Sequence, residues 1–453
     1  MTFPDIQVLR SAALKGAIPL ERRMALLLKL RASLQKNSAR ISAALQRDLG
    51  KGSFEAWTTE VGFLLSEISY FAKELPHLVA TEKVSTPLTM QPGKSFIQKE
   101  PFGVVLVLAP WNYPVQLAFS PMIGAIAAGN RVVVKPSEIS MASSAVIAEI
   151  VDEVFAPDEV RTIQGGVEET TALLRERFDY IFFTGSTAVG KVVMKAAAEH
   201  LTPVTLELGG KSPCLVDASA SIAQAARRIA WGKWMNAGQT CVAPDYVLVP
   251  RHQEAIFINE LRISIEQFYG ANPELSPDYG RIVSTRHHER LVSLMANATV
   301  AIGGQHDEAK RYIAPTVVHK IDATHPLMQE EIFGPILVVM PYDDFDTAIQ
   351  FIKQRPKPLA FYFFGQDSQR EAQAMTQISF GGGCVNDTVI HLANGKLPFG
   401  GVGESGMGAY HGDLSFSTFT HRKAVFKQST LVDVPVRYPP YKGKEGLVKF
   451  LMD

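Results

Sequence analysis

The stretch from residue 104 to residue 199 alternates four times between a short β-branched or aromatic run and a helical segment. The short runs are apolar throughout, which is typical of strands that are buried on both faces. Such strands occur in parallel sheets, because the connecting helices cover both sides of the sheet. The sequence predicts strands at 104–108, 132–134, 160–164 and 180–183, and helices at 115–128, 141–154, 167–176 and 187–199.

A second series of the same kind begins near residue 210, so we predict an α/β fold with two parallel-sheet units. The first fifty residues are predicted to be helical, with Pro19 in a first turn. The segment 84–99 predicts a hairpin, because extended runs at 84–90 and 94–99 flank a Pro-Gly turn. The second series is expected to have strands at 213–216, 245–249 and 335–340, and helices at 219–236, 252–269 and 286–296.

The charge balance argues against several classes of protein. The 453 residues include 45 Lys plus Arg and 45 Asp plus Glu, so the formal net charge is zero. Because the chain has no basic excess to neutralise phosphates, we expect no nucleic-acid partner. Residues 101–130 carry no charge, but Pro110, Pro114 and Pro121 interrupt them. A buried strand, a turn and a buried helix explain this stretch better than a membrane span, and we expect no membrane association.

The three cysteines, Cys214, Cys241 and Cys384, are odd in number and lie far apart. Neither a disulfide framework nor a cysteine zinc site is expected, and the usage fits a reducing cytoplasm. No HExxH motif occurs, and His287 and His288 are adjacent, so they do not face the same way on a helix. We therefore predict a cytoplasmic protein without a metal site.

Cys241 is the strongest candidate for a chemical role. It follows a Gly-Gln-Thr turn among polar residues, unlike Cys214 in a predicted strand and Cys384 after three glycines. Such surroundings predict an exposed thiol close to helix termini, with a lowered pKa that favours a nucleophile. We interpret the other two cysteines as inert or structural.

Two segments compete as a dinucleotide site. Gly401–Gly406 matches GxGxxG, but no strand precedes it, so we interpret it as a structural loop. Phe183–Ser186 follows a predicted strand and opens a helix, which suits a phosphate, although Ser186 as an ordinary N-cap explains the pattern equally well. Lys135 and Glu138 follow another predicted strand and could hold an adenosine ribose, although taken alone they favour a solvated charge pair.

Seven motifs, in this order and spacing, resemble the aldehyde dehydrogenase superfamily over residues 20–442. The short length and the closing stretch Arg437–Lys442 are similar to the class 3-type branch, whose members are typically homodimers. The motifs are Pro110-Trp-Asn112-Tyr-Pro114, Lys135-Pro-Ser-Glu138, Phe183-Thr-Gly-Ser186, Leu206-Glu207-Leu-Gly-Gly-Lys211, Gly238-Gln-Thr-Cys241, Glu330-Glu331-Ile-Phe333-Gly-Pro335 and Leu397-Pro-Phe399-Gly-Gly401.

The resemblance implies oxidation of a small aldehyde with NAD or NADP as the cofactor. Cys241 is implied to add to the aldehyde, Asn112 and the Cys241 N–H to stabilise the oxyanion, and Glu207 to activate the hydrolytic water. An aldehyde tunnel is implied for Tyr113, Trp231, Met235, His391 and Leu392, although Trp231 and Met235, four apart on one helix, could equally be core. Cofactor contacts are implied for Trp111, Lys135, Glu138, Gly185, Ser186, Glu331, Phe333 and Phe399.

The same resemblance implies two Rossmann-type domains and a small bridging β arm, in a homodimer. Two alternatives remain open from the sequence: an enzyme that passes the acyl group to coenzyme A, and a non-catalytic binding protein. The first needs no hydrolytic base, and the second need not keep a nucleophile, a base and an oxyanion donor together. The expected parts are a cofactor-binding domain at 1–80 and 101–208, a catalytic domain at 209–418, the arm at 81–100 and 419–440, and a tail at 441–453.

Overall fold

The computed structural model describes residues 3–433 and 435–452, so residues 1, 2, 434 and 453 of the predicted segments lie outside the described residues. Helices flank two large sheets. One π-helical turn, Trp57–Val61, joins the short helix Ser53–Ala56 to the helix Gly62–Leu78. The helices are α1 (Pro4–Leu14), α2 (Leu20–Lys36), α3 (Ser38–Leu49), α4 (Ser53–Ala56), α5 (Gly62–Leu78), α6 (Pro114–Ala128), α7 (Met141–Val154), α8 (Val167–Leu173), α9 (Thr187–Ala198), α10 (Ile222–Trp234), α11 (Glu254–Tyr269), α12 (Thr285–Leu294), α13 (Pro326–Gln329), α14 (Phe345–Lys353), α15 (Ser368–Gln377), α16 (Asp413–Thr418) and α17 (Glu445–Met452).

The strands form two large sheets, a three-stranded sheet and a short two-stranded ribbon. They are β1 (Glu82–Val84), β2 (Lys94–Pro101), β3 (Val104–Leu108), β4 (Arg131–Lys135), β5 (Val160–Thr162), β6 (Tyr180–Thr184), β7 (Val204–Glu207), β8 (Pro213–Val216), β9 (Tyr246–Pro250), β10 (Thr299–Ile302), β11 (His306–Asp307), β12 (Tyr312–Ile313), β13 (Thr316–His319), β14 (Ile336–Tyr342), β15 (Ala360–Phe364), β16 (Gly382–Val385), β17 (Gly406–Met407) and β18 (Thr420–Lys427).

The first large sheet has the strand order β17-β7-β6-β3-β4-β5. All its strands run parallel except β17, which pairs antiparallel with β7. The chain lays down β3, β4 and β5 outward on one side, and then returns to add β6 and β7 on the other side. The strand order therefore reverses between β3 and β6, and open α/β sheets bind ligands in the crevice beyond such a reversal.

The second large sheet has the order β10-β13-β14-β9-β8-β15-β16, with β10 as its antiparallel edge strand. The α/β fold with two parallel sheets is therefore confirmed. β17 lies within the predicted segment 209–418, yet it completes the first sheet, so the chain crosses back between the two sheets. The domain boundaries proposed from the sequence stay predictions.

The strands and helices predicted from continuous burial match the structure closely. The strands 104–108 and 213–216 and the helix 141–154 are confirmed to the residue. The charge-free stretch 101–130 forms β3 and the almost wholly buried helix α6, as expected. No helix within residues 3–433 and 435–452 is long and apolar enough to cross a bilayer.

The N-terminal prediction is right in type and wrong in detail. The first fifty residues are helical, but they form three helices that break near Gly16, whose φ is 116°, and at Asn37. Pro19 directly precedes α2 instead of lying inside its first turn.

The three-stranded sheet has the order β1-β2-β18 and corresponds to the predicted arm. The hairpin is confirmed, with Val84 opposite Ser95, but the strand predicted at 84–90 is wrong, because β1 ends at Val84. Pro87 has no N–H to donate to a ladder, and a 3₁₀ turn follows it at 88–90. The second part of the predicted arm, 419–440, contributes the strand β18.

Candidate active site

Cys241 lies in a tight loop after α10. Three consecutive residues before it have left-handed backbone angles: Asn236 (φ 50°), Ala237 (φ 51°) and Gly238 (φ 74°). This conformation costs a residue with a Cβ atom about 1–2 kcal/mol. A Cβ at Gly238 would lie 2.2 Å from the Gly334 carbonyl oxygen, so only glycine fits there. The loop is therefore sharply bent and packs directly on a second loop.

The buried amide of Gln239 holds this loop in place. Its Nε2 donates to the carbonyl oxygens of Asn236 (3.0 Å) and Arg281 (2.9 Å), and its Oε1 accepts the Val283 N–H (2.9 Å). A fully satisfied amide at a buried position fixes both its own orientation and the backbone that it bonds. The backbone position of Cys241 is set in this way before any ligand binds.

The thiol of Cys241 is half-buried. Burial raises its pKa, and the nearby carboxyl groups of Glu331 and Glu207 raise it further. The expected lowering of the pKa is therefore wrong, because the polar residues of the loop bond to one another and leave the thiol beside acidic groups. A thiol in this environment needs a base before it can act as a nucleophile.

Glu207 ends β7 and is only 2% exposed. Its backbone is held on both sides, because it pairs with Thr184 of β6 and with Gly406 of β17. Among the residues that the structure describes, neither of its carboxylate oxygens has a hydrogen-bond partner, and burial raises its pKa well above the usual value. Leaving a buried carboxyl unpaired costs free energy, so such a group in a cavity is a strong candidate for function.

Asn112 and Tyr113 follow β3 and contact the loop of the candidate nucleophile. Asn112 Nδ2 donates to the Gln239 carbonyl oxygen at 3.0 Å, two residues before Cys241. The Tyr113 and Thr240 hydroxyl groups share a hydrogen bond of 2.7 Å. An amide nitrogen carries two protons, so Asn112 retains one for a further acceptor.

Cys241 and Glu207 line the same cavity, which has a volume of about 520 Å³. The wall is almost entirely apolar, apart from a few groups that include Thr184 and His411. Burial lowers the pKa of His411 to about 4, and its Nε2 has no hydrogen-bond partner. Further lining residues, beyond those predicted, include the apolar or aromatic Phe54, Phe63, Leu117, Phe268, Tyr269, Val389, Ile390 and Tyr410 and the polar Glu55, Thr58, Thr59, Gln116 and Asp278.

Four of the five predicted tunnel residues lie on this wall: Tyr113, Trp231, Met235 and Leu392. Trp231 is 41% exposed, so it is not merely a core residue. His391 lies elsewhere, because its ring packs beside Cys384 with Nδ1 3.4 Å from the sulfur atom. The 3₁₀ turn 390–393 directs the residues on either side of His391 to the cavity instead.

Three of the predicted cofactor contacts, Trp111, Gly185 and Ser186, lie where the first sheet reverses its strand order. Trp111 follows β3, and Gly185 and Ser186 follow the adjacent strand β6. The Trp111 ring meets the edge of Phe333 at a centroid distance of 5.3 Å. Ser186 Oγ accepts the Val189 N–H at 3.4 Å, so its N-cap role is confirmed. The N-terminus of α9 still suits a phosphate, because the cap satisfies only part of its free N–H groups.

Glu331 is fixed by close packing. A Cβ at Gly209 would lie 1.9 Å from Glu331 Oε2, so this glycine leaves room for the carboxylate. Burial raises the pKa of Glu331 to about 8, and Asp245 adds to the shift. Arg290 Nη2 donates to the carbonyl oxygens of Glu331 and Ile332, both at 2.9 Å. The loop that carries Glu331, one of the predicted cofactor contacts, is therefore held rigidly.

Lys135 and Glu138 form an ion pair, with 2.6 Å between Nζ and Oε2 at the carboxyl end of β4. Lys135 is buried and Glu138 is exposed, so only Glu138 fits the interpretation as a solvated charge. A buried cation, the N-terminus of α9 and the Glu331 carboxyl group, which packs against Gly209, suit hydroxyl and phosphate groups. This donor set therefore fits a nicotinamide dinucleotide.

The GxGxxG segment is the structural loop that we expected. Residues 403–405 form a 3₁₀ turn, and the next two residues form β17 beside Glu207. Phe399, which was predicted to contact the cofactor, lies on the cavity wall and stacks on His411 at 5.2 Å. The loop therefore supports the base and one wall of the cavity.

Sequence reasoning missed a fully buried ion pair, Lys51 and Glu60, which lies behind Asn112. It also missed His411 and Glu55 on the cavity wall, where burial raises the pKa of Glu55 to about 7. Isolated Lys and Glu residues are almost never fully buried, so no local pattern could predict this pair.

Comparisons with known proteins agree with this geometry. The sequence pattern of the aldehyde dehydrogenase family matches residues 11–425. A 4,4'-diaponeurosporen-aldehyde dehydrogenase of Staphylococcus aureus is 50% identical over 423 residues, covering 93% of this chain and 92% of that one. A rat aldehyde dehydrogenase described as dimeric and NADP-preferring is 47% identical over 427 residues, covering 94% of each chain.

The same relationship holds in three dimensions. A structure of Staphylococcus aureus AldH in a substrate-bound state superposes with a TM-score of 0.98, at 47% identity and 100% coverage of both chains. Identity at this level over nearly the whole length shows both family and activity. The chain therefore belongs to the aldehyde dehydrogenase family, in its class 3-type branch, and is an NAD(P)-dependent aldehyde dehydrogenase.

Proposed function

We propose that the chain oxidises an apolar aldehyde to the carboxylic acid through a thiohemiacetal and a thioester on Cys241. One observation supports this proposal above all others: a thiol and an unpaired carboxyl group, Glu207, line one apolar cavity. A buried carboxyl group with a raised pKa is a suitable proton acceptor for a thiol whose own pKa is raised. The two groups form a nucleophile and its base.

In the first step the Cys241 proton passes to Glu207, and the sulfur atom adds to the carbonyl carbon. The carbon–oxygen double bond becomes a single bond, and negative charge develops on the oxygen. The second amide proton of Asn112 and the Cys241 backbone N–H are the donors to this oxyanion. Donors of this type are each worth about 10²–10³ in rate, because their orientation is fixed before the reaction.

NAD or NADP, when bound, supplies the acceptor for the hydride that leaves the tetrahedral carbon. Trp111 and Phe333 form the wall against which a nicotinamide ring would rest, and Phe399 lies on the cavity side. Glu331 would accept hydrogen bonds from the hydroxyl groups of its ribose. Lys135 and Glu138 would hold the adenosine ribose, and Gly185 and Ser186 would lie beside the phosphates.

Hydrolysis of the thioester completes the cycle. Glu207 first releases to solvent the proton that it took from Cys241. It then takes a proton from water, the hydroxide oxygen bonds to the thioester carbon, and the bond from that carbon to the Cys241 sulfur breaks. The acid leaves, and the thiolate takes the proton back from Glu207, which restores the starting thiol and carboxylate. A base in this position makes coenzyme A unnecessary, so we favour hydrolysis over acyl transfer.

The cavity favours apolar aldehydes. Tyr113, Trp231, Met235 and Leu392 offer mostly hydrocarbon and aromatic surface to a substrate. Burying apolar surface contributes about 25 cal/mol per Å², so long-chain or aromatic aldehydes gain most from this wall. The Staphylococcus aureus relative is named as a dehydrogenase of 4,4'-diaponeurosporen-aldehyde.

Reduction of NAD or NADP, followed at 340 nm, tests the function. Aliphatic aldehydes of increasing length and aromatic aldehydes are each assayed with either cofactor. We expect turnover without coenzyme A, and kcat/KM values that rise with the apolar surface of the aldehyde. Strict dependence on coenzyme A would instead identify an acyl-transferring enzyme, and turnover restricted to hydrophilic aldehydes would contradict the apolar substrate class.

We also propose a homodimer that works in the cytoplasm. Within the described residues, the outer edge of β18 pairs with no other strand, so a second copy could extend this sheet. Three free cysteines fit a reducing compartment. Light scattering on the eluting protein tests the dimer, and fractionation of cells tests the location. A monomer at micromolar concentration, or recovery outside the cytoplasmic fraction, would contradict the respective proposal.

A further inference from the structure

Behind the active site lies an ion pair that the reaction described above does not use. Lys51 Nζ and Glu60 Oε1 are 2.7 Å apart, and both side chains are 0% exposed. Lys51 follows α3 in the chain, and Glu60 lies in the π-helical turn between α4 and α5. An ion pair in this setting is a poor source of stability, because desolvating two charges costs several kcal/mol per ion in rough terms. A role other than stability therefore needs to be considered.

The remaining contacts of both side chains lead to the same short segment. Lys51 Nζ donates to the Asn112 carbonyl oxygen at 2.9 Å and lies 3.8 Å from the centre of the Tyr113 ring. Glu60 Oε2 accepts the backbone N–H groups of Val115 (3.0 Å) and Gln116 (2.8 Å). The pair thus binds the peptide of Asn112 on one side and the N-terminus of α6 on the other.

The segment between these two anchor points carries the oxyanion donor. A carboxylate that accepts two N–H groups in the first turn of a helix fixes where that helix starts. The lysine fixes the carbonyl oxygen of Asn112, which also accepts the Asn236 Nδ2 at 2.8 Å. The hydrogen bonds from Lys51 and Glu60 to this segment go to main-chain atoms, so they set the backbone position from which the Asn112 side chain projects.

We propose that Lys51 and Glu60 are positioning residues that hold the Asn112 amide in its place as an oxyanion donor. The inference rests on the proposed function, since it presupposes that Asn112 contacts the developing charge. Neither side chain touches the substrate in this proposal. A displacement of about 1 Å in a reacting group can cost about 100-fold in rate, which gives such remote anchors their importance.

A double-mutant cycle on the full-length chain tests the proposal. Lys51→Met removes the donor to the Asn112 peptide, and Asn112→Ala removes the oxyanion donor itself. We expect Lys51→Met to lower kcat by about 10- to 100-fold, with little change in the cofactor dissociation constant. In the Asn112→Ala background the same substitution should lower kcat by less than about threefold, because coupled residues are not additive.

A second variant guards against misfolding, since Lys51→Met leaves Glu60 unpaired. Lys51→Met/Glu60→Gln has no buried charge, and the glutamine oxygen still accepts both N–H groups of α6. This double variant should fold and show the same loss of kcat. Arg370→Met is the matched control, because it breaks the ion pair with buried Asp217 far from Asn112 and should leave kcat unchanged.

The outcomes are distinct. If the unaltered chain oxidises no aldehyde, the proposed function fails, and the inference fails with it. If the chain is active but Lys51→Met lowers kcat equally in both backgrounds, or not at all, only the positioning role is overturned. A loss that is confined to the Asn112-containing background, and that the neutral double variant reproduces, supports the inference.

Discussion

Two buried carboxyl groups, Glu60 beside the Asn112 segment and Glu207 on the cavity wall, have sharply different surroundings. Glu60 is 0% exposed, and both of its oxygens are bonded, one to Lys51 and the other to two backbone N–H groups. Glu207 is 2% exposed, and neither of its oxygens has a partner. Burial alone therefore does not distinguish a structural acid from a reactive one.

The hydrogen-bond partners make the distinction. A satisfied carboxylate has no reason to take up a proton from a ligand, and it keeps its neighbours in one geometry. Burial raises the pKa of both groups, but Lys51 and the two backbone N–H groups oppose this shift at Glu60. Glu207 has only the shift from burial, and its lone pairs are free for a proton-transfer step. The Glu60 region is thus expected to govern stability and position, and the Glu207 region to govern chemistry.

The largest effect is expected on the reactive side, where Cys241→Ser should lower kcat by at least about 10⁴-fold. A hydroxyl group is far less acidic than a thiol, and the neighbouring carboxyl group cannot deprotonate it to a useful extent. Steady-state rates at 340 nm measure the loss, while the melting temperature should change little. Cys384→Ser is the control and should keep its turnover, because Cys384 lies outside the cavity. A serine variant with ordinary turnover would refute the assignment of the nucleophile.

Glu60→Gln tests the structural side. It leaves the Lys51 ammonium group buried without its counter-charge, so we expect a loss of about 3–5 kcal/mol in the free energy of unfolding. Denaturant titration or thermal melting measures this loss. Lys51→Met/Glu60→Gln should recover most of the stability, because it has no unpaired charge. If Glu60→Gln were as stable as the parent, the hydrogen bonds of Glu60 would not give it the structural role that distinguishes it from Glu207.

Glu207→Gln should have the opposite profile. We expect kcat to fall by about 10²–10⁴-fold, because both the proton acceptor for Cys241 and the base for deacylation are lost, while the protein folds normally. Rapid acid quenching measures the acyl group on Cys241, and its accumulation shows that deacylation is slowed more than acylation. Full steady-state turnover in this variant would contradict the role as a base.

The raised pKa of Glu207 also predicts a pH dependence with a defined sign. The folded state holds this proton more tightly than the unfolded state, so its contribution to stability is lost as the pH rises through the raised value. Glu207→Gln lacks this component, so its melting temperature should rise relative to the parent as the pH increases above about 5. Deacylation in the parent should accelerate at higher pH, as the pH approaches the raised pKa at which Glu207 ionises in the folded state.

The sequence predicts the scaffold well where burial is continuous. Val104–Leu108 and Pro213–Val216 are apolar at every position, and both are strands with the predicted bounds. The short strands β7 and β16 were missed because their composition is mixed and their positions depend on pairing with distant strands. The strand β15 was also missed, although it is buried at every position. Short runs of mixed composition carry too little periodicity to identify their type.

The site could be predicted only in part. Cys241 stands out because a glycine and polar residues precede it. Its pKa is raised instead of lowered as expected, because those polar residues hydrogen-bond to one another and not to the thiol. The partners Lys51 and Glu60 meet only through the folded chain, and His391 looks like a tunnel residue until the turn that carries it is seen. The local sequence pattern identifies candidate residues. The direction in which their side chains point, and the groups that they contact, are determined by tertiary contacts.

The smallest effect concerns the cavity wall that the reactive carboxyl group shares with Trp231. Trp231→Ala removes apolar surface without touching Cys241, Glu207 or the Lys51 pair. We expect kcat/KM for a long-chain or aromatic aldehyde to fall by about tenfold, against little change for acetaldehyde, because this contact is worth about 1–3 kcal/mol of apolar burial. Trp57→Ala is the matched control, since Trp57 is 53% exposed and lies outside the cavity. An equal loss for both aldehydes would move Trp231 from substrate selection to support of the reacting groups.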